Sequence, residues 1–536
     1  MTNYQFTGGT ICAPATIPGT GAISIIRVSG KEALAIADKV IDTKGVPIAE
    51  TEGYRLRYGT VFEADGSVLD NVIVSVFRAP HSYTGENSVE ISCHASRFIV
   101  NKILELLVNA GARIAAPGEF TRRAFVNGKM DLAQAEAVAD VIASQSAASH
   151  RVAMNQLKGG FSSELKVLRE KLLTMTSLLE LELDFSEEDV EFASRKELGQ
   201  LVDDSLTHIR RLTASFSRGN AIKNGVPVAI VGATNTGKST LLNALLGEER
   251  AIVSDIAGTT RDTIEETLNI DGILFRFIDT AGIRETDETI EKIGIDRTFK
   301  KLGEAAVVLG MTDLSRGEAA VLEDADFILS KVNEIGGVKN VGTENDGSET
   351  GGAPLAGTGV ASRHGHGDGQ ERKVVILVNK CDVAGDFYRD DNGTGYGSGN
   401  DLGENMAEIG GNKNVNHDNN IISLIENKYD NCKVIPISAK TGKGLSTLTK
   451  TLGEIGSEIT GSTDETLVTN VRHYEALVRA ASALERVRAG LHIATIPPDL
   501  IAQDLREALY HLGEIVGEIS TDETLGNIFR KFCVGK

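Results

Sequence analysis

Apolar and polar positions change their period several times along this chain. Up to about residue 128, short β-rich runs, AISIIRVSG, NVIVSVFRA and SVEISC, are separated by turn residues, and the stretch from Lys102 to Ala110 repeats at helical spacing. This pattern predicts an α+β domain over residues 1–128. From Lys129 the texture becomes MDLAQAEAVADVIASQSAASHRVAMNQL and then LKVLREKLLTMTSLLELELDF, with apolar residues at helical spacing and few Gly or Pro. Long helices packed on one another are expected over 129–224. Near Gly225 a continuous apolar run, Val226 to Val231, is bounded by turn residues and predicts a buried parallel strand. Helical periodicity returns in HYEALVRAASALERVRAGLH and LIAQDLREALYHLGEIVGEI, over 461–536. The expected architecture is therefore an α/β domain, 225–460, inserted into an all-α helical domain that follows the α+β one.

Two stretches lack apolar anchors. Residues 336–370 and 385–420 are dominated by Gly, Asn, Asp, Ser and Thr, and neither buries enough surface to offset its ordering entropy, so both are expected to be disordered loops. His364 and His366 in the first are read as surface histidines rather than metal ligands.

Composition narrows the class. A chain of 536 residues exceeds a single core and calls for several domains. With 41% hydrophobic and 24% charged residues and no apolar run of membrane-spanning length, a soluble multidomain protein is expected. The first residues have no basic segment followed by an apolar one, so the expected location is the cytosol. The five cysteines, Cys12, Cys93, Cys381, Cys432 and Cys533, are scattered without a C-x-x-C pair, so neither a zinc site nor a disulfide framework is suggested. A formal net charge of -20 opposes broad attraction to nucleic acid, so an RNA partner would need a local basic patch.

Chemistry is concentrated in the inserted domain. GATNTGKST, Gly232 to Thr240, satisfies G-x-x-x-x-G-K-[ST] between the predicted strand and the helix start LLNALLG. Such a loop turns backbone N–H groups of Asn235, Thr236, Gly237, Lys238, Ser239 and Thr240 toward phosphates, with the lysine on the outer phosphates and Ser239 on Mg²⁺. FRFIDTAG then ends in Asp279, Thr280, Ala281 and Gly282, VVILVNKCD ends in Asn379, Lys380 and Asp382, and VIPISAK ends in Ser438, Ala439 and Lys440. The Asp382 carboxylate suits the two donors on the N1 and N2 edge of guanine, which adenine does not offer. Elements in this order at strand C-terminal ends predict a guanine-specific GTPase.

SDIAGTTRDT lies where a switch loop is expected, with Thr260 the choice for a Mg²⁺-ligating threonine and Arg261 either an arginine finger or an exposed loop cation. The residue after Gly282 is Ile283, which has no group to orient water, whereas Ras-like enzymes place glutamine there. The Asn235 side-chain carbonyl and the backbone carbonyls of Ser254 to Thr259 would make a monovalent-cation site beside the phosphates; the other reading of Asn235 is a hydrogen bonder that stabilises its own loop.

The stretches GATNTGKSTLLNALLGEERAIVSDIAGTTRD, DTAGIRETDETIEKIGIDR, APATIPGTGAISIIRVSG, SYTGENSVEISCH, PGEFTRRAFVNGKMDLAQAEAVADVI and FCVGK together resemble the MnmE (TrmE) family of tRNA-modification GTPases, over nearly the whole chain except the two low-complexity loops. The resemblance implies a K⁺-activated G domain that dimerises across the nucleotide, and a partnership with the FAD-dependent protein MnmG, as a heterotetramer, that installs an aminomethyl or carboxymethylaminomethyl group at C5 of the tRNA wobble uridine. By position it implies K⁺ ligation by Asn235, Ser254, Ile256 and Thr259, with Asp255, Ala257 and Gly258 in the same nucleotide-binding loop, Mg²⁺ ligation by Ser239 and Thr260, and a water-orienting role for Glu291. It also implies a homodimer and a 5-formyltetrahydrofolate or related tetrahydrofolate in the amino-terminal domain, on Arg27, Glu90, Lys129 and Lys536.

Cys533 sits four residues from the end, but Gly535 is not aliphatic and Lys536 is an unusual last residue for lipidation; a role in the modification reaction or folate pocket and a structural thiol both stay open. Thr236 departs from the small apolar residue most members carry, Ala95–Ser96 stands where many have Gly-Gly, and the two loops enlarge the G domain on either side of Asn379–Asp382. A GTP-controlled ribosome-assembly factor would share the cradle and K⁺ activation but not FCVGK or PGEFTRRAFVNGKMDLAQAEA. A plain folate-dependent one-carbon transferase would leave the GTPase elements without use.

Overall fold

The computed structural model describes residues 8–184, 195–248, 266–278, 302–334, 372–382, 421–428, 432–461, 465–492, 497–519, 522–530, 532 and 535. Both low-complexity loops, 336–370 and 385–420, lie outside the described residues. The chain forms two compact units, one of residues 1–144, 150–214 and 466–536, the other of 145–149 and 215–465.

The first unit begins with strands β1 (Ile11–Pro14), β2 (Gly21–Ser29), β3 (Ile41–Asp42), β4 (Arg55–Phe62), β5 (Val68–Phe77), β6 (Ser88–Ala95) and β7 (Arg113–Ile114), in the order β3-β4-β5-β6-β2-β1-β7. Strand pairing is antiparallel except between β1 and β7. Alternation sets its two faces. Val72, Val74 and Val76 of β5, with Val89, Ile91 and Cys93 of β6, are buried in one cluster with Ile103 and Leu107 of the second of two helices, α1 (Ala33–Val40) and α2 (Arg97–Asn109). The helix expected from Lys102 begins five residues earlier, at Arg97, so the strand-like run Phe98-Ile99-Val100 is helical; Ile99 and Val100 pack against the same cluster, and this tertiary contact outweighs their intrinsic preference.

The helical part follows through α3 (Glu119–Val126), α4 (Leu132–Ala143), α5 (Ala147–Leu157), α6 (Gly160–Asp184) and α7 (Arg195–Ala214). A capping box starts α4: the Asp131 carboxylate accepts from Gln134 N at 2.8 Å, and Asp131 N donates to Gln134 Oε1 at 3.0 Å.

The second unit carries α8 (Phe216–Asn224), β8 (Val226–Gly232), α9 (Lys238–Glu248), β9 (Glu266–Ile270), β10 (Ile273–Ile278), β11 (Val307–Asp313), α10 (Glu318–Glu334), β12 (Lys373–Asn379), α11 (Ile421–Lys428), β13 (Cys432–Pro436) and α12 (Leu445–Thr460). Its sheet has the order β13-β12-β11-β8-β10-β9, parallel except for the edge strand β9. The continuous apolar runs are explained by burial on both faces. Val226, Val228 and Ile230 of β8 share one core with Val307, Leu309, Val375 and Leu377, whereas Ala229, Val231, Val308, Val374, Ile376 and Val378 face the other.

Beyond residue 465 the chain returns to the first unit with α13 (Val471–His492), α14 (Pro498–Val516) and α15 (Asp522–Phe529). Its helices are tied by a buried charge cluster. Glu136 on α4 accepts from Arg472 at 3.0 Å and lies 2.7 Å from His473 Nε2, while Arg472 also donates to the terminal carbonyls Glu514 O and Ile515 O of α14. His473 stacks on Phe161 of α6 with ring centroids 5.3 Å apart. No helix among the described residues is long and apolar enough to cross a membrane.

Burial raises the Glu136 carboxyl, but His473 and Arg472 outweigh it and hold the group at about 2 against an ordinary 4.5. A depressed acid stabilises the fold fully above its unfolded value and loses that contribution as pH falls through the folded one. Glu136→Gln is thus expected to cost roughly 3–5 kcal/mol at neutral pH, by removing the carboxylate that pairs with Arg472 and lies against the buried His473. In thermal melts recorded against pH, the gap from wild type should narrow between about 4.5 and about 2.

Candidate functional site

Strand C-terminal ends of the parallel sheet meet at one edge. β8 runs into the turn Ala233–Gly237 and α9 starts at Lys238, as the apolar run and the G-K-S spacing predict. Two glycines are needed for close approach. Gly232, at φ 156, lies where a Cβ would overlap Met311 O at the end of β11; at Gly237, φ 98, a Cβ would overlap the Asn379 side-chain amide. Thr236 is buried and donates its hydroxyl to Ala233 O at 2.9 Å, which accounts for a polar residue at that position. Asn235 is exposed in the left-handed region at φ 62. Asparagine tolerates this region better than most residues with a side chain.

Lys238 Nζ donates to Gly232 O at 2.9 Å and Ala233 O at 2.7 Å, and burial lowers its affinity for the proton. Desolvated beside the loop, it is a cation for which phosphate oxygens are a better partner than neutral carbonyls. Ser239 and Thr240 follow in the first turn of α9, whose N-terminal N–H groups add positive potential.

Asn379 at the end of β12 joins this cradle to the rest of the site. Its Nδ2 donates to Thr236 O at 2.7 Å, and its Oδ1 accepts from Ala439 N at 3.0 Å. Cys381 N donates to Ile437 O at 3.3 Å, and Ser438 Oγ accepts from Thr441 N at 3.2 Å. Lys380, Asp382 and the Ser438–Lys440 turn are thereby collected beside the cradle, with Asp382 and Lys440 exposed. Lys380 takes φ 65, and its Nζ reaches Asp313 Oδ2 at 2.6 Å, a partner that motif reading overlooks. Its location at the C-terminal end of an apolar strand was the available signal. Candidate residues Ser254, Asp255, Ile256, Ala257, Gly258, Thr259, Thr260, Arg261, Asp279, Thr280, Ala281, Gly282, Ile283 and Glu291 lie outside the described residues.

A second constellation occupies the first unit. Arg27 on β2 faces Glu90 on β6 in register, with Nε 2.9 Å from Glu90 Oε1. The guanidinium lies over Tyr83, 5.1 Å from the ring centroid, and Phe120, 5.7 Å away, two aromatic neighbours that the sequence did not single out. Lys129 has other partners: its Nζ donates to Pro80 O at 3.0 Å, and its stem lies beside Gly85. Tyr83, Pro80 and Gly85 belong to one loop, which is stapled by Glu86 to the buried Arg123 at 3.0 Å and to Ser29 at 2.8 Å. Arg123 also meets Glu119 at 3.0 Å. Burial raises the Glu119 carboxyl, but bonds from Arg113, Ala116 N and Arg123 leave it below its ordinary value.

The C-terminal end comes to the same domain. Phe529 and Phe532 pack with Leu132 and Ala135, Phe529 O and Phe532 crowd Gly118, and a Cβ on Gly535 would overlap Pro14 O on β1, the strand paired with β2. Cys533 and Lys536 themselves lie outside the described residues.

Two family models match, one described as the MnmE helical domain over residues 132–533, the other as the GTP-binding protein TrmE N-terminus over 10–129. The tRNA modification GTPase MnmE of Parabacteroides distasonis is 46% identical over 530 residues, covering 98% of this chain and 100% of that relative. The namesake from Bacteroides thetaiotaomicron is 45% identical over 530 residues, covering 98% and 99%, and that of Porphyromonas gingivalis 43% over 538 residues, covering 99% of each. Among solved structures, a GTP-binding protein from Sulfolobus solfataricus in complex with GDP is 18% identical, covering 55% of this chain and 67% of that one with a TM-score of 0.24, too low to bear on the reading.

The glycine geometry yields a prediction. Gly237→Ala combines an unfavourable φ with overlap on the Asn379 amide, and is expected to weaken GDP binding by roughly 100-fold or more, read by fluorescence titration of a labelled nucleotide. Unchanged affinity would show that the cradle and Asn379 move apart at little cost.

Proposed function

The chain belongs to the MnmE family of tRNA modification GTPases, and on that footing we propose that it is a K⁺-activated GTPase whose hydrolysis cycle drives modification of the wobble uridine at C5. The observation that carries this reading is the cradle with Asn235 at its lip. Asn235 is exposed at φ 62, and no hydrogen bond to it is found among the described residues. An exposed side-chain carbonyl at this place is a suitable ligand for a cation beside the phosphates. Ser254, Ile256 and Thr259 complete the proposed K⁺ set, and Ser239 with Thr260 the Mg²⁺ set. A bound monovalent cation supplies positive charge opposite the charge that develops during phosphoryl transfer. Glu291 is the proposed water-orienting group, in place of the glutamine that Ile283 displaces. Asn379, Lys380, Asp382 and the Ser438–Lys440 turn hold the guanine.

For the amino-terminal domain we propose a tetrahydrofolate site on Arg27, Glu90, Lys129 and Lys536, with Cys533 close by. The Arg27–Glu90 pair, flanked by the Tyr83 and Phe120 rings, offers both charges and a flat apolar wall, which suits a heteroaromatic ring carrying donors and acceptors and a carboxylate tail. The folate, when bound, supplies the one-carbon unit. Docking of Phe532 and Gly535 on this domain supports the inclusion of the last residues.

The proposed assembly is a homodimer that joins MnmG as a heterotetramer and acts on tRNA in the cytoplasm. The sheet face opposite α1 and α2 supports self-association: Ile23 is 67% exposed, Leu56 67%, Tyr58 66% and Ile73 48%. With a net charge of -20 on this chain, MnmG is the proposed source of most of the basic surface for tRNA.

GTP turnover should be several-fold faster in KCl than in NaCl of equal ionic strength, and Asn235→Ala should abolish that difference; equal wild-type rates in both salts would remove the cation site and turn attention to Arg261. Ile73→Asp, placing a charge in the apolar face, is expected to give a monomer in light scattering, and a dimer of wild-type stability would move the interface elsewhere.

A further inference from the structure

Asp313 is a buried carboxylate whose pairing with Lys380 has so far been given no role. It ends β11, which lies between β8 and β12, and is in register with Asn379. Its side chain is 7% exposed. The two oxygens have separate partners. Oδ1 accepts from Ser315 N at 3.0 Å and from Ser315 Oγ at 2.6 Å; Oδ2 accepts from Lys380 Nζ at 2.6 Å. One oxygen is thus locked by the turn Leu314–Arg316, and the other presents a fixed negative charge to a lysine stem. Burial raises this carboxyl, but Lys380 and Ser315 outweigh it and keep the group below its ordinary range.

Lys380 needs such an anchor. Its backbone is left-handed at φ 65, between the buried Asn379 and Cys381, so the direction of its Cα–Cβ bond is set by the loop. Four rotatable bonds separate that point from the ammonium, and without a partner the stem would sample many rotamers. Held at both ends, its stem becomes a fixed apolar edge two residues before Asp382, of a length and character suited to a purine plane.

We propose that Asp313 is a positioning residue for guanine binding, acting through Lys380 rather than by touching the nucleotide. This rests on the reading of Asn379, Lys380 and Asp382 as the guanine loop. The plainer alternative is that Asp313 only caps the turn after β11 and pairs with whichever cation is near.

A double-mutant cycle on the full chain separates these, with the dissociation constant and release rate of fluorescent GDP as readouts and the melting temperature recorded in parallel. Asp313→Asn and Lys380→Met are each expected to weaken GDP about 10-fold, mostly through faster release, and the double variant should be no weaker than Lys380→Met alone. Ser315→Ala, which leaves the ion pair in place but loosens its anchor, should show a smaller loss of the same kind that also vanishes in the Lys380→Met background. If the Asp313→Asn loss persists in full in that background, or the melting temperature falls while GDP affinity is unchanged, Asp313 is only a turn cap and the proposal fails. Asp382→Asn, tested with xanthosine diphosphate, keeps the two readings distinct. A switch of base preference toward xanthine with wild-type GDP binding by Asp313→Asn sinks the Asp313 proposal alone; no switch sinks the guanine loop on which it rests.

Discussion

The nucleotide site depends on one buried side-chain amide. Asn379 donates to the cradle at Thr236 O and accepts from Ala439 N, so three loops that end three different strands are held at fixed spacing by two hydrogen bonds. Both ends of that amide are needed: a carboxylate would lose the donor to Thr236, and an apolar residue would leave a buried carbonyl and a buried N–H unsatisfied. Gly237 carries no side chain for the same reason, since the amide fills the space that a Cβ would take. The proposed phosphate cradle and the proposed base-binding loops are in this way joined through a single residue.

That coupling gives the parallel sheet its functional meaning. The central strands β8, β11 and β12 are buried on both faces and carry polar side chains only at their ends, where the loop after β8 offers backbone donors and a desolvated lysine, β11 a fixed carboxylate, and the loops after β12 and β13 the groups proposed for a base. In the other unit the same principle works sideways: strand register puts Arg27 opposite Glu90, and a stapled loop brings Tyr83 over the guanidinium.

Much of this was legible in the sequence because it is local. A six-residue apolar run followed by G-x-x-x-x-G-K-S is the pattern of a buried strand entering a phosphate loop, and the strand and the helix stand where it predicts; the helical periodicity on either side of it marks the insertion. What escaped depends on distance along the chain. Asp313 and Lys380 are 67 residues apart and meet only because β11 and β12 are neighbours. Phe120 joins Arg27 through the packing of α3 near β1, and the start of α2 at Arg97 is not evident until the cluster that Ile99 and Val100 join is known. Thr236 looked like a departure from pattern, yet its hydroxyl finds an acceptor within its own turn.

The discontinuity of the first unit also sets an order of events during synthesis. Helices α6 and α7 pack against α14 and α13, which are translated only after residues 215–465. Every strand of the inserted sheet, from β8 to β13, has left the ribosome before the helices that close the first unit exist. The GTP-binding unit is therefore able to fold while α6 and α7 still expose the apolar faces that await their partners. At roughly 5–20 residues per second, that interval lasts many seconds, and it is the stage at which this chain most needs protection from aggregation.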